Sequence, residues 1–308
     1  MKGPAVPNAL RGDPFLPLPG NVRGALWLLL SALAFSGMNG LIKGLGSDVH
    51  PFQIAFFRSL FGLAVVLPFV VRAGWRGMAT ARPGIHAARA LFGVSAMWCS
   101  FYALAHLPLA TAVAIMFAKP LFMIVLAVLF LGETVRWRRW SATAVGMAGV
   151  LVMLRPGGGE TFAALMALAA ALFAAMAFAT VKRMTATERP MVVLFWFSVL
   201  ATVGTLPPAL FVWRMPSGAA FALLLAVGAL GSLAQYFLVR AFTVGEATAV
   251  VPVDYLTLLF SGLIGYLVFA EVPDGATIMG GAIVVASTLY IVGRETRLGA
   301  GERPRPPD

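Results

Sequence analysis

Charge is scarce in this sequence. Of its 308 residues, 11% are Asp, Glu, Lys or Arg and 60% are hydrophobic, where an ordinary soluble domain carries about 25% charged residues. A water-soluble globule is therefore excluded. Cysteine occurs once, at Cys99 inside an apolar run, so neither a disulfide framework nor a thiolate metal cluster can form within the chain. The three histidines, His50, His86 and His106, fall at expected helix ends, and none follows residue 106. The sequence has no Gly-rich phosphate loop ending in Lys-Ser/Thr and no His-Glu-x-x-His, which leaves ATP-driven transport by this chain and zinc proteolysis without residues to rest on. The serine of Gly93–Ala96 lies in an apolar span but lacks the intramembrane histidine base that hydrolysis there would need. No enzymatic activity, cofactor or metal is expected.

What the chain does have is long apolar runs. A helix needs about 20 mainly apolar residues to cross the bilayer core. On that rule, spans fall near 25–45, 52–71, 86–105, 110–131, 138–154, 161–181, 191–212, 219–240, 248–269 and 276–293. Short connections with turn residues separate them, among them Gly46–Pro51, Leu107–Pro108 and Val272–Gly275. The first run is about 20 residues, longer than the roughly 7 to 15 of a signal-peptide core, so it is expected to stay as a helix. Residues 1–20 are rich in proline and poor in apolar periodicity, and residues 294–308 are similar. Both ends are expected to be disordered.

The net charge of +11 is a matter of topology. Eighteen of the 23 Lys and Arg lie in alternate connections and at the two ends, including Arg72, Arg76, Arg82 and Arg89 between the second and third spans and Arg136, Arg138 and Arg139 between the fourth and fifth. The opposite connections hold only Arg155 and Arg214. Because basic residues resist translocation, both termini are expected in the cytoplasm and the protein in the inner membrane. The charge is spread over six segments rather than gathered on one folded face, which removes the support for nucleic-acid binding.

The chain also repeats itself. A shift of 139 sets Lys43 over Lys182, Phe56–Ser59 over Phe195–Ser198 and Pro68 over Pro207. A shift of 138 sets Val113 over Val251, Phe122 over Phe260 and Glu133 over Glu271. Five crossings per copy send the second copy into the membrane from the opposite side. The expected fold is thus an all-α membrane protein of ten transmembrane helices in two inverted five-helix repeats, residues 21–155 and 156–293. Such a fold places a site near the midplane and alternates its access by rocking one repeat against the other.

The stretches PFQIAFFRSLFG from Pro51, FYALAHLPLATAVAI from Phe101, PLFMIVLAVLFLGE from Pro120 and ATAVVPVDYLTLLFSGLIGYLVFAEVPD from Ala247 resemble the EamA group of the drug/metabolite transporter superfamily, over residues 22–293. HPFQIAFFR and FAEVPD are most similar to a branch containing S-adenosylmethionine and riboflavin carriers. The resemblance implies a transporter of a small organic metabolite. It leaves open an exporter of amino acids or toxic compounds, and a non-transporting membrane sensor or scaffold.

A charge at the centre of a membrane helix costs about 2.5 to 3.5 kcal/mol on the insertion scale, so each one needs a partner or a wet cavity. Lys119 lies about 14 Å into the fourth span by helical rise. Asp254 lies in the ninth span, and the repeat sets it over Met116 and Lys119 over Thr257. In each span these positions are three apart, on one face. Lys119 and Asp254 are therefore expected to point toward the pseudo-two-fold axis, with Asp254 either a proton-coupling carboxylate or a counter-charge. Arg58, two turns into the second span, suits recognition of a carboxylate or phosphate. Trp98, Tyr102, Gln235 and Tyr255 add aromatic and amide surface. Glu133 and Glu271 end their helices unfavourably for the helix dipole and are assigned structural or gating roles, with Pro120 and Pro252 as bending points. Lys43 and Lys182 read as interface anchors. Proton coupling and a homodimer are both compatible with this sequence.

Overall fold

The computed structural model describes residues 18–46, 48–119, 121–123, 125–126, 137–154, 161–184, 188, 190–244 and 253–301. Ten α-helices form among them: α1 (Gly20–Leu45), α2 (Pro51–Ala73), α3 (Pro83–His106), α4 (Leu109–Met116), α5 (Trp137–Leu154), α6 (Thr161–Met184), α7 (Pro190–Phe211), α8 (Gly218–Val244), α9 (Leu256–Phe269) and α10 (Gly275–Gly301). One helix lies in each expected span. Stretches of α1, α2, α3, α6, α7 and α8 are long and apolar enough to cross a bilayer, and shorter apolar helices occupy the other four spans. Proline starts α2, α3 and α7, where its missing N–H costs nothing because the first turn has no acceptor for it. Large apolar side chains such as Phe69, Leu91, Leu151, Val203, Leu263 and Leu267 face outward, as a lipid-facing surface requires.

The packing obeys a swap of the two repeats. Exchanging α1 with α6, α2 with α7, α3 with α8, α4 with α9 and α5 with α10 turns the α1–α8 contact into α6–α3, and both are among the most extensive in the bundle. The same exchange relates α2–α8 to α7–α3 and α1–α9 to α6–α4, and maps α2–α7, α4–α9 and α5–α10 onto themselves. These contacts join the halves to each other, so neither half buries its apolar faces alone.

Where α5 meets α10 the backbones touch. A Cβ on Gly149 would sit 2.8 Å from the Gly280 carbonyl oxygen, and one on Gly280 would sit 2.5 Å from that of Gly149. Small residues permit this approach, and van der Waals packing is the main attraction between helices in lipid. Gly280→Leu is expected to destabilise the protein by about 1–3 kcal/mol through overpacking, read as a lower unfolding temperature in detergent. An unchanged transition would show that the two helices can separate without cost.

Two features depart from the expectation. The tenth helix continues to Gly301 instead of ending at 293, because the Arg-Glu-Thr-Arg-Leu run from Arg294 contains good helix formers that need no membrane. The fourth and ninth spans each carry a local turn, with Phe117 and Tyr255 keeping right-handed helical dihedral angles. Residues 117 and 118 form a turn after α4, and Tyr255 forms one between the helical residues 253–254 and α9. The Ala118 N–H reaches back three residues to the Ile115 carbonyl at 2.9 Å, the tighter 3-10 register. Proline at 120 offers no N–H to the Met116 carbonyl four residues earlier, which favours a turn there.

Candidate functional site

The two turns face each other. Phe117 and Tyr255 stack with ring centroids 5.1 Å apart and planes 28° apart. These residues are separated by 138 positions, the internal shift of the repeat, so each is the other's counterpart. Beside them, Lys119 Nζ lies 3.7 Å from Asp254 Oδ2, with side-chain exposures of 23% and 27%. The Lys119 ammonium also sits 4.3 Å from the centre of the Phe178 ring, a cation–π contact. Ser36 Oγ on α1 donates to the Thr257 carbonyl at 3.1 Å and accepts from Ser261 Oγ at 3.2 Å. Those bonds hold the start of α9 against α1 beside the turn.

A second group lies between α2, α3, α7 and α8. Arg58 is 8% exposed and lines a narrow cleft of about 20 Å³ with Ser59, Phe197, Ser198, Ser232 and Gln235. Its Nη1 donates to Met97 Sδ at 3.1 Å, a weak acceptor, and its Nε has no partner. Arg89 corrects the sequence reading. Expected in the loop before the third span, it lies within α3, 8% exposed. Its guanidinium is 4.2 Å from the centre of the Phe197 ring. A Cβ on Gly93, one turn on, would collide with Arg89 Nη1 and the Phe197 ring. The signal was in the sequence: Pro83 starts the helix early, and Gly93 leaves room for a long side chain.

The third group lies at the arginine-poor end. Lys43 Nζ pairs with Glu271 Oε1 at 2.7 Å and donates to the Leu107 carbonyl at 2.7 Å. Glu271 Oε2 accepts the Leu109 N–H at 2.8 Å. Leu109 begins α4, so the carboxylate meets the positive end of that helix. Ala270, in the left-handed region at φ 53, turns the chain toward these partners. A non-glycine residue pays about 1–2 kcal/mol for that conformation. Lys43 is thus tied to a carboxylate and a carbonyl rather than anchored at the interface. Pro120, Glu133 and Pro252, along with the Lys182 side chain, lie outside the described residues.

At the same end a cavity of about 1100 Å³ of empty volume is lined by Asp48, His50, Tyr102, His106, Trp213 and Arg214. Tyr102 stacks on His106 at 4.1 Å. Gln53 braces the rim, donating from Nε2 to the Arg214 carbonyl at 2.9 Å and accepting the Arg214 N–H at 3.3 Å. Burial lowers the His50 pKa, which favours its neutral form. Trp98 packs edge-on against Phe52, centroids 5.5 Å apart, and its indole N–H has no partner. At the opposite end Glu188 accepts from Thr80 Oγ1 at 2.7 Å and lies 3.8 Å from His86 Nε2.

The structure thus gathers Lys119, Asp254 and Tyr255 at the turns, Arg58 and Gln235 in the cleft, and Tyr102 at the cavity. Phe117, Phe178 and Arg89 were not singled out beforehand. Phe117 could have been found by asking which residue the repeat sets over Tyr255.

This arrangement has relatives. Over 280 residues the chain is 36% identical to the S-adenosylmethionine uptake transporter of Rickettsia prowazekii, covering 90% of this chain and 94% of that one. It is 35% identical over 280 residues to the riboflavin transporter of Rhizobium johnstonii, covering 90% and 93%. The pseudopaline exporter of Pseudomonas aeruginosa is 32% identical over 273 residues, covering 87% and 95%. These relatives are named as transporters, not enzymes. A crystal structure at 20% identity shares the fold, with a TM-score of 0.64 over 90% of this chain and 99% of its own. The EamA-like transporter family matches residues 22–155 and again 161–293. A helical, multi-pass membrane chain that carries this family's unit twice, once in each opposed half, belongs to the EamA-like transporter family and transports small metabolites.

Proposed function

We propose that this protein moves a zwitterionic metabolite of the S-adenosylmethionine type across the inner membrane by alternating access, without ATP, holding it between the repeats near Lys119 and Asp254. The observation that carries this reading is the Lys119–Asp254 pair, 3.7 Å apart and each about one-quarter exposed, where two spans turn opposite each other. A structural pair would be fully buried, whereas these two side chains are partly exposed. The interface between inverted repeats, near the bilayer midplane, is where such transporters hold their cargo. Four relatives named S-adenosylmethionine uptake transporters are 36–38% identical over about 90% of the chain, which supports the choice of substrate. The arginine-rich end and both termini face the cytoplasm on the charge bias of the connections, so the 1100 Å³ cavity opens to the outside.

The test is flux in liposomes with purified full-length protein. Labelled S-adenosylmethionine, riboflavin and a set of amino acids are offered at two pH values, with and without an uncoupler. Saturable, protein-dependent S-adenosylmethionine flux without ATP is expected. Flux of riboflavin or amino acids in its place would refute the substrate, and an ATP requirement would refute the mechanism.

A further inference from the structure

We infer that Arg58, backed by Arg89, is the subsite for the substrate's carboxylate. The inference rests on the transport reading above and names which part of the cargo goes where. Two partly buried lysines in the apolar region have carboxylate partners, Lys43 with Glu271 and Lys119 with Asp254. Among the described residues Arg58 and Arg89 have none within ion-pair distance. Both are more than nine-tenths buried, each has a buried Nε without a hydrogen-bond partner, and both lie beside Phe197.

Two neighbouring cations without an anion are expensive in a membrane interior, and residues of this kind mark ligand pathways. The surroundings are built for an anion. Arg58 opens on a cleft whose lining adds the hydroxyls of Ser59, Ser198 and Ser232 and the amide of Gln235. Arg89 does not line that cleft, but it lies on the Phe197 ring that does, so its charge acts from behind. Gly231 leaves room for the guanidinium, since a Cβ there would come within 3.0 Å of Arg58 Nε and 3.3 Å of Nη2. A guanidinium with an unpartnered N–H donates it to a carboxylate oxygen in a charge-assisted bond. The ligand class is therefore an α-amino carboxylate or another small carboxylate, and riboflavin, which has none, would leave the arginines unsatisfied.

The test compares S-adenosylmethionine with its decarboxylated analogue in liposomes containing the full-length protein. The wild type is expected to prefer the carboxylate by about 10- to 100-fold, the range for losing a hydrogen-bonded charge contact. In Arg58→Gln the preference should fall to near unity, in Arg58→Lys it should be intermediate, and in Lys119→Met it should persist at whatever rate remains. The wild-type comparison needs no variant, so a poorly folded Arg58→Gln would not spare the inference. Equal transport of the two compounds by the wild type would overturn it and leave S-adenosylmethionine transport standing. A preference that Lys119→Met abolishes and Arg58→Gln retains would overturn it as well. Transport of riboflavin alone would overturn both readings.

Discussion

Lys119→Ala and Asp254→Asn are each expected to reduce substrate flux in liposomes at least tenfold while the protein still elutes as a single species. The pair is only partly buried, so removing one partner is expected to leave the fold intact. The function is expected to be lost, because the ligand loses the charged group that the turn presents. A charge swap separates the two roles. If the pair only balanced charge, Lys119→Asp with Asp254→Lys would restore flux, since the attraction is unchanged. If these groups meet the cargo, the swap puts the wrong sign on each side of the Phe117–Tyr255 stack and flux stays low. Recovery of flux in the swap would remove Lys119 and Asp254 from the transport mechanism.

The second large effect is expected at the arginine-poor end. Glu271→Ala removes the acceptor of both the Lys43 ammonium and the Leu109 N–H. Breaking a buried pair by deleting one partner costs about 3–5 kcal/mol. These groups are 14% and 22% exposed, and solvent screening reduces that to about 1–3 kcal/mol. A lower unfolding temperature in detergent is the expected result. Adding Lys43→Met should recover most of it, because the unpaired charge is then gone. Flux should not recover, since the pair joins α1 of one repeat to the end of α9 of the other and would open and close with the transport cycle. A double variant that transports at the wild-type rate would reduce the pair to a structural tie.

Much of this was legible in one dimension. Ten apolar runs of membrane-crossing length became ten helices, because a bilayer leaves a chain few other ways to satisfy its backbone. The odd number of crossings per copy made the copies opposed. Lys119, Asp254 and Arg58 stood out because charge is costly where they lie. Their partners did not stand out, since pairing depends on which faces meet. Arg89 looked like a loop arginine until α3 carried it beside Phe197, and Lys43 looked like an anchor until α9 turned at Ala270 and brought Glu271 to it.

Composition and periodicity alone determined the membrane, the helix count and the inverted repeat, because each follows from local hydrophobicity and a count of crossings. Only the tertiary structure decided that Phe117 stacks on Tyr255, that Lys119 pairs with Asp254, and that Arg89 lies on the Phe197 ring. Those facts rest on contacts between residues more than a hundred positions apart, and no local pattern records them.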